Sequence, residues 1–128
     1  MIKSIRNIKY SIGGYSQGES SFNLDGYEVS FWENLFACEV QPPQQWINRK
    51  VVSEDEKEKL IETLNKIKFL TWKKEYYDKE MLDGTQWTIL VTYNGNLKKK
   101  VYGSNAYPKG FNKFETHLKQ LLKHPRKC

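Results

Sequence analysis

The first part of the chain alternates. Ile8, Tyr10 and Ile12 are apolar with polar residues between them, the period of a half-buried strand. Phe22 and Leu24 keep that period up to Asp25-Gly26, and Tyr27, Val29 and Phe31 resume it. A two-residue type I′ turn at Asp25-Gly26 sets Leu24 opposite Tyr27 and Phe22 opposite Val29, with both pairs on one face. Residues 13–20 read as a flexible connection because they begin Gly13-Gly14. After Phe31 the phase slips, since Phe36, Cys38 and Val40 fall on even positions, and a bulge or turn is expected near Trp32-Glu33-Asn34. Pro42-Pro43 ends the strand region, because proline has no amide to give a ladder, and leaves Trp46 in a loop.

The period then becomes helical. Ser53-Glu54-Asp55-Glu56 is laid out as a capping box, and Leu60, Ile61, Leu64 and Ile67 form one stripe, which predicts a helix over residues 53–68. Phe69-Leu70, Trp72 and Tyr76-Tyr77 fit either a bent helix end or a short strand. Trp87, Ile89, Val91 and Tyr93 alternate again and predict a strand over residues 86–93.

The return strand decides the turn. A two-residue turn at Asn94-Gly95 would bring Lys98 and Lys100 opposite Val91 and Ile89, on the apolar face. A three-residue loop, Asn94-Gly95-Asn96, pairs Tyr93 with Leu97 and Ile89 with Val101 instead. Lys98, Lys100 and Tyr102 then share the other face with Thr88, Leu90 and Thr92. The longer loop, with left-handed glycine or asparagine, is preferred; only Lys99, opposite Val91, fits it poorly. Residues 103–108 read as a loop in which Asn105 bonds its own backbone and Tyr107-Pro108 leads to a helix beginning between residues 108 and 112. That helix carries Phe111, Phe114, Leu118, Leu121 and Leu122 on one side. Asp83-Gly84 turns the chain into the hairpin. The expected fold is one α+β domain spanning residues 1–128. A single antiparallel sheet of about four to six strands packs on two helices, in the order strands, helix, hairpin, helix. Residues 123–128 form a loose tail.

Composition adds two points. Aromatic residues make up 14% of the chain while the mean hydropathy is −0.76, so the core is built on rings under a heavily charged surface. No apolar run approaches the roughly 20 residues of a membrane span, and Met1 to Arg6 has no apolar segment of a leader behind it; a cytoplasmic location is the expectation. The net charge of +6 is lopsided. From Leu97 onward there are nine lysines and arginines against the single acid Glu115. The rest of the chain holds twelve positive and fourteen negative groups, so the whole excess is C-terminal and could steer an anionic partner.

Catalytic signatures do not emerge. There is no nucleophile elbow and no Walker loop, and the glycine-rich stretch at residues 13–18 opens no helix. His117 and His124 lack a metal-ligand spacing, and Cys38 and Cys128 lack a Cys-x-x-Cys spacing, so no metal and no cofactor is expected. Acid pairs such as Asp55 and Glu58 fit the solvated first turns of a helix. The candidate binding residues are Lys98, Lys100, Tyr102, Asn105, Tyr107 and Trp46. The lysine–tyrosine strand interleaves charge with rings, as a surface for nucleic acid would, although lysines also guard a sheet edge against aggregation. Trp46 stands equally as an exposed anchor for a protein partner and as a lid over the sheet edge.

Trp72, Tyr76, Asp83-Gly84-Thr85-Gln86-Trp87, Gly103-Ser104-Asn105-Ala106-Tyr107-Pro108 and Phe111 together form a pattern that resembles small uncharacterised bacterial domains of unknown function. The resemblance covers the C-terminal half and implies a small α+β fold, with no activity attached. A non-catalytic intracellular domain that binds a protein partner, of immunity, adaptor or regulatory type, is the leading expectation. Nucleic-acid binding is the alternative, and an enzyme without a recognisable motif comes third.

Overall fold

The computed structural model describes residues 1–14, 19–34, 45–77 and 85–122. The chain runs through strands β1 (Ile5–Gly14), β2 (Glu19–Asp25), β3 (Glu28–Asn34) and β4 (Gln45–Val51), then helix α1 (Glu54–Lys66). A 3-10 turn (Phe69–Thr71), strands β5 (Glu75–Tyr77), β6 (Thr85–Tyr93) and β7 (Leu97–Ser104), and helix α2 (Phe111–Leu122) complete it. All seven strands belong to one sheet in the order β4-β3-β2-β1-β6-β7-β5. The fold is α+β with two helices, as expected. The sheet is larger than the expected four to six strands, and it is mixed, because β5 runs parallel to β7.

Both extra strands are hidden in sequence for local reasons. β4 follows Pro42-Pro43 and carries Asn48-Arg49-Lys50, which breaks any apolar alternation. Trp46 therefore lies in this strand, with Glu33 of β3 as its partner, and not in a loop. β5 has only three residues, too few to show a period. The ambiguous segment after α1 is both things proposed for it: a 3-10 turn, then a short strand. Gly13 and Gly14 pair within β1, against Gln86 and Thr85 of β6, and Glu19 and Ser20 belong to β2, so both ends of the expected flexible connection are strand.

Ser53 caps α1 as a full capping box: its side chain accepts from the Glu56 amide, and the Glu56 carboxylate accepts from the Ser53 amide. The bond from the Ser53 amide, helped by Lys50, holds the Glu56 carboxyl below its usual range. The helix ends where Lys68 turns left-handed, at φ 56°, and the Trp72 indole donates to the Ile67 carbonyl just before it.

The β2–β3 hairpin turns on Gly26-Tyr27, with Asp25 paired to Glu28, so Leu24 faces Val29 and Phe22 faces Phe31. This is one residue later than a type I′ turn at Asp25-Gly26. Gly26 takes a positive φ, 62°, as the first central residue, the position a type II′ turn reserves for glycine. The partner of each β2 residue moves by two, which preserves the face. Tyr27 alone changes role. It leaves the ladder, hydrogen-bonds Glu54 and supports the Lys57 ammonium 4.2 Å above its ring. The β6–β7 loop matches expectation: Tyr93 pairs with Leu97 and Ile89 with Val101, around Asn94 and Gly95 at φ 46° and 95°.

Both helices cover the same side of the sheet. Ile8, Tyr10, Phe22, Leu24, Val29, Trp87, Ile89, Val91 and Val101 form one core with Leu60 and Leu64 of α1 and with Phe111, Phe114, Leu118 and Leu121 of α2. Rings carry much of it. Tyr10 meets Phe111 and Phe114 edge-on, and Phe114 stacks toward Phe69 at 6.5 Å. The N-terminal segment is tied down by two asparagines. Asn65 pairs with the backbone of Ile2 in both directions, and Asn94 accepts from Lys3 and Ser4 while donating to the Met1 carbonyl. The bulge or turn expected near Trp32-Glu33-Asn34 is not there: β3 keeps its register through Asn34, which pairs with Glu19 and Gln45, and Phe36, Cys38 and Val40 lie outside the described residues. Asp83-Gly84, Cys38, His124 and the tail at residues 123–128 lie outside the described residues.

Candidate binding surface

The other side of the sheet is built from the alternate residues. Register places Asn7, Lys9 and Ser11 of β1 beside Thr92, Leu90 and Thr88 of β6, and these beside Lys98, Lys100 and Tyr102 of β7. On the far flank Glu75 and Tyr77 of β5 pair with Tyr102 and Ser104. Toward β2 and β3 the same face continues through Asn23, Asp25, Glu28 and Ser30. Among the described residues no helix packs on this face. It is a polar floor with Lys9, Lys98 and Lys100 exposed around the half-buried Leu90. The sequence singled out Lys98, Lys100 and Tyr102. It passed over Lys9 and Tyr77, although the odd positions of β1, opposite in phase to Ile8 and Tyr10, carry the signal for the first.

Tyr102 is half-buried and tilts against Tyr77, with ring centres 5.7 Å apart. The Tyr77 hydroxyl donates to the Glu75 carboxylate, and partial burial together with that bond raises its pKa. The only ring pair beside the lysines among the described residues therefore has an acid next to it.

Asn105 and Tyr107 belong elsewhere. Asn105 sits left-handed at φ 58°, and its side chain accepts from the Thr85 amide while its own amide donates to the Thr85 carbonyl. It clamps the start of β6, across the loop, and does not simply bond its own loop. Tyr107 is about half exposed, at 48%, and stacks on the Trp87 indole on the helix-covered side. Trp87 is buried, donates to the Ala106 carbonyl and lies between Tyr76, Tyr107 and Phe111. These residues organise the fold around one indole, and the structure does not bring them to the lysine face. Only the backbone of Trp46 is described.

Lys99, the misfit of the sequence, points to the covered side. Its half-buried stem crosses the core margin and its ammonium donates to the Trp72 carbonyl at 2.5 Å. Between the helices, an open groove of about 380 Å³ is lined by Thr63, Lys66, Lys113, Thr116 and His117, among others. His117 Nδ1 and Thr63 Oγ1 are 2.7 Å apart, and burial lowers the imidazole pKa. No carboxylate is among the residues lining the groove. Among the described residues no cluster of three His, Cys, Asp or Glu side chains could hold a metal ion, and no helix is long and apolar enough to cross a membrane.

No family model and no curated protein matches the chain.

Proposed function

We propose that this chain is a non-catalytic, cytoplasmic binding module that recognises an acidic protein partner through the sheet face opposite its helices. One observation carries the reading: both helices cover one face, while the other presents Lys9, Lys98 and Lys100 around Leu90 on the neighbouring strands β1, β6 and β7. A site on strands is held more tightly than one on loops. Asp25, Glu28 and Glu75 at the margins give the surface both signs of charge, which suits a protein partner of defined orientation. Such a module fits a role of immunity, adaptor or regulatory type.

Nucleic acid is the second reading, favoured by the Tyr102–Tyr77 ring pair near the lysines. Glu75 beside those rings opposes a phosphate backbone. Fluorescence anisotropy separates the two classes. Labelled polyglutamate, single-stranded and double-stranded oligonucleotides are titrated at low and high salt against the wild type and Lys98→Glu/Lys100→Glu. The expected result is salt-dependent polyglutamate binding that the double variant loses. Tighter oligonucleotide binding that weakens in Tyr102→Ala would transfer the reading to nucleic acid.

A further inference from the structure

We infer that the partner docks by adding an extended, carboxylate-bearing strand to the free edge of β7 at Lys98 and Lys100. This rests on the binding reading above and gives it a geometry.

The argument starts from the direction of the backbone. The Tyr102 amide donates outward, away from β6, to the Lys74 carbonyl. Backbone groups in a strand alternate in direction, so Lys98 and Lys100, at the same phase, also point their amides and carbonyls outward. β5 covers the edge only opposite residues 102–104. Among the described residues, nothing pairs with the outward groups of Lys98 and Lys100. The uncovered edge thus lies in line with β5, on the strand whose side chains are the most basic of the open face. Lys73 and Lys74, both exposed, flank it where β5 begins.

An incoming strand would exchange backbone hydrogen bonds with Lys98 and Lys100, the mode in which ladders give affinity and alternate side chains give specificity. Its carboxylates would lie on the open face beside the two ammonium groups. Lysines on an edge also keep two copies of the chain from pairing there, since like charges meet. The same charges that reject a second copy favour an acidic strand, which is why the occupant is a different protein.

The test uses the folded chain and a labelled peptide of alternating Glu and Val, together with the same peptide N-methylated at alternate residues. Lys100→Pro deletes an amide that has no partner in the chain, so it should fold, because edge strands tolerate proline where the N–H faces outward. Lys100→Thr removes the charge but keeps the amide. The expected result is that the wild type binds the plain peptide. N-methylation weakens binding by about tenfold, and Lys100→Pro binds about tenfold more weakly than Lys100→Thr, as one unmet hydrogen bond requires. Equal affinity for plain and N-methylated peptides overturns strand addition while leaving the binding reading intact, and that arm holds even where Lys100→Pro fails to fold. Binding of polyglutamate without binding of the alternating peptide does the same. If neither probe binds, the binding reading itself falls.

Discussion

Gly103 has a neighbour that leaves no room for a side chain. A Cβ there would lie 2.1 Å from the Trp87 ring, so the strand accepts only glycine where the indole crosses it. Gly103→Ala must push the indole off the Ala106 carbonyl and out of its place against Tyr76 and Phe111. It should cost about 3 kcal/mol, the upper range for overpacking a core, read as a lowered urea midpoint. Asn105 combines two roles that substitution can separate. Asn105→Gly keeps the left-handed backbone and loses the bond to the Thr85 amide. Asn105→Ala loses the bond and strains the backbone as well. The alanine variant should be less stable than the glycine variant by about 1 kcal/mol in the same denaturation experiment; equal stabilities would remove the conformational role.

Elements were legible wherever one period ran long enough. β1, α1, β6, β7 and α2 are long, and the Leu97–Val101 register followed from asking which loop keeps lysines off the apolar face. β5 was too short to read, and β4 was masked by its polar run. The parallel pairing of β5 with β7 depends on where a crossover lands, which no local pattern encodes. The candidate site was half legible: Lys98, Lys100 and Tyr102 share a strand, so alternation groups them. Asn105 and Tyr107 seemed to join them by nearness in sequence, whereas the chain after β7 turns to the covered side to enclose Trp87. Lys99 shows how a local misfit is absorbed, through a carbonyl supplied by the segment after α1. Lys99→Met keeps the stem and removes that bond, and should lower stability by about 1 kcal/mol, a partly exposed charged hydrogen bond being discounted for solvent. At the end of α1, Lys68→Gly relieves a left-handed lysine and should raise stability by about 0.5–1 kcal/mol, read as a raised urea midpoint.

At the scale of the molecule, two groups at the core margin bound the pH range of stability. Tyr10 donates to Glu115 at 2.8 Å, and burial, then the Glu115 charge and bond, push its pKa far above the ordinary tyrosine value. His117, bonded to Thr63 between the helices, is pushed below the ordinary histidine value by burial. The signs differ. The unfolded chain releases the Tyr10 proton above about pH 10, while the folded chain retains it, so stability is intact below that pH and falls as pH rises. The unfolded chain takes a proton at His117 below about pH 6.5, before the folded chain does, so stability is intact above that pH and falls as pH drops. The wild type should therefore show a plateau in urea midpoint between these limits. On the alkaline side the Tyr10 contribution approaches one proton, a slope of up to about 1.4 kcal/mol per pH unit. Tyr10→Phe should lower the plateau, because Glu115 loses a donor, yet flatten the alkaline limb. His117→Gln, able to keep a bond to Thr63, should flatten the limb between pH 6.5 and the onset of carboxylate protonation. Limbs unchanged in both variants would show that other groups set the pH range. Lysines on the open face lie outside both pairs, so Lys98→Glu/Lys100→Glu should leave the two limbs where they are while abolishing polyglutamate binding, which separates the binding surface from the determinants of stability.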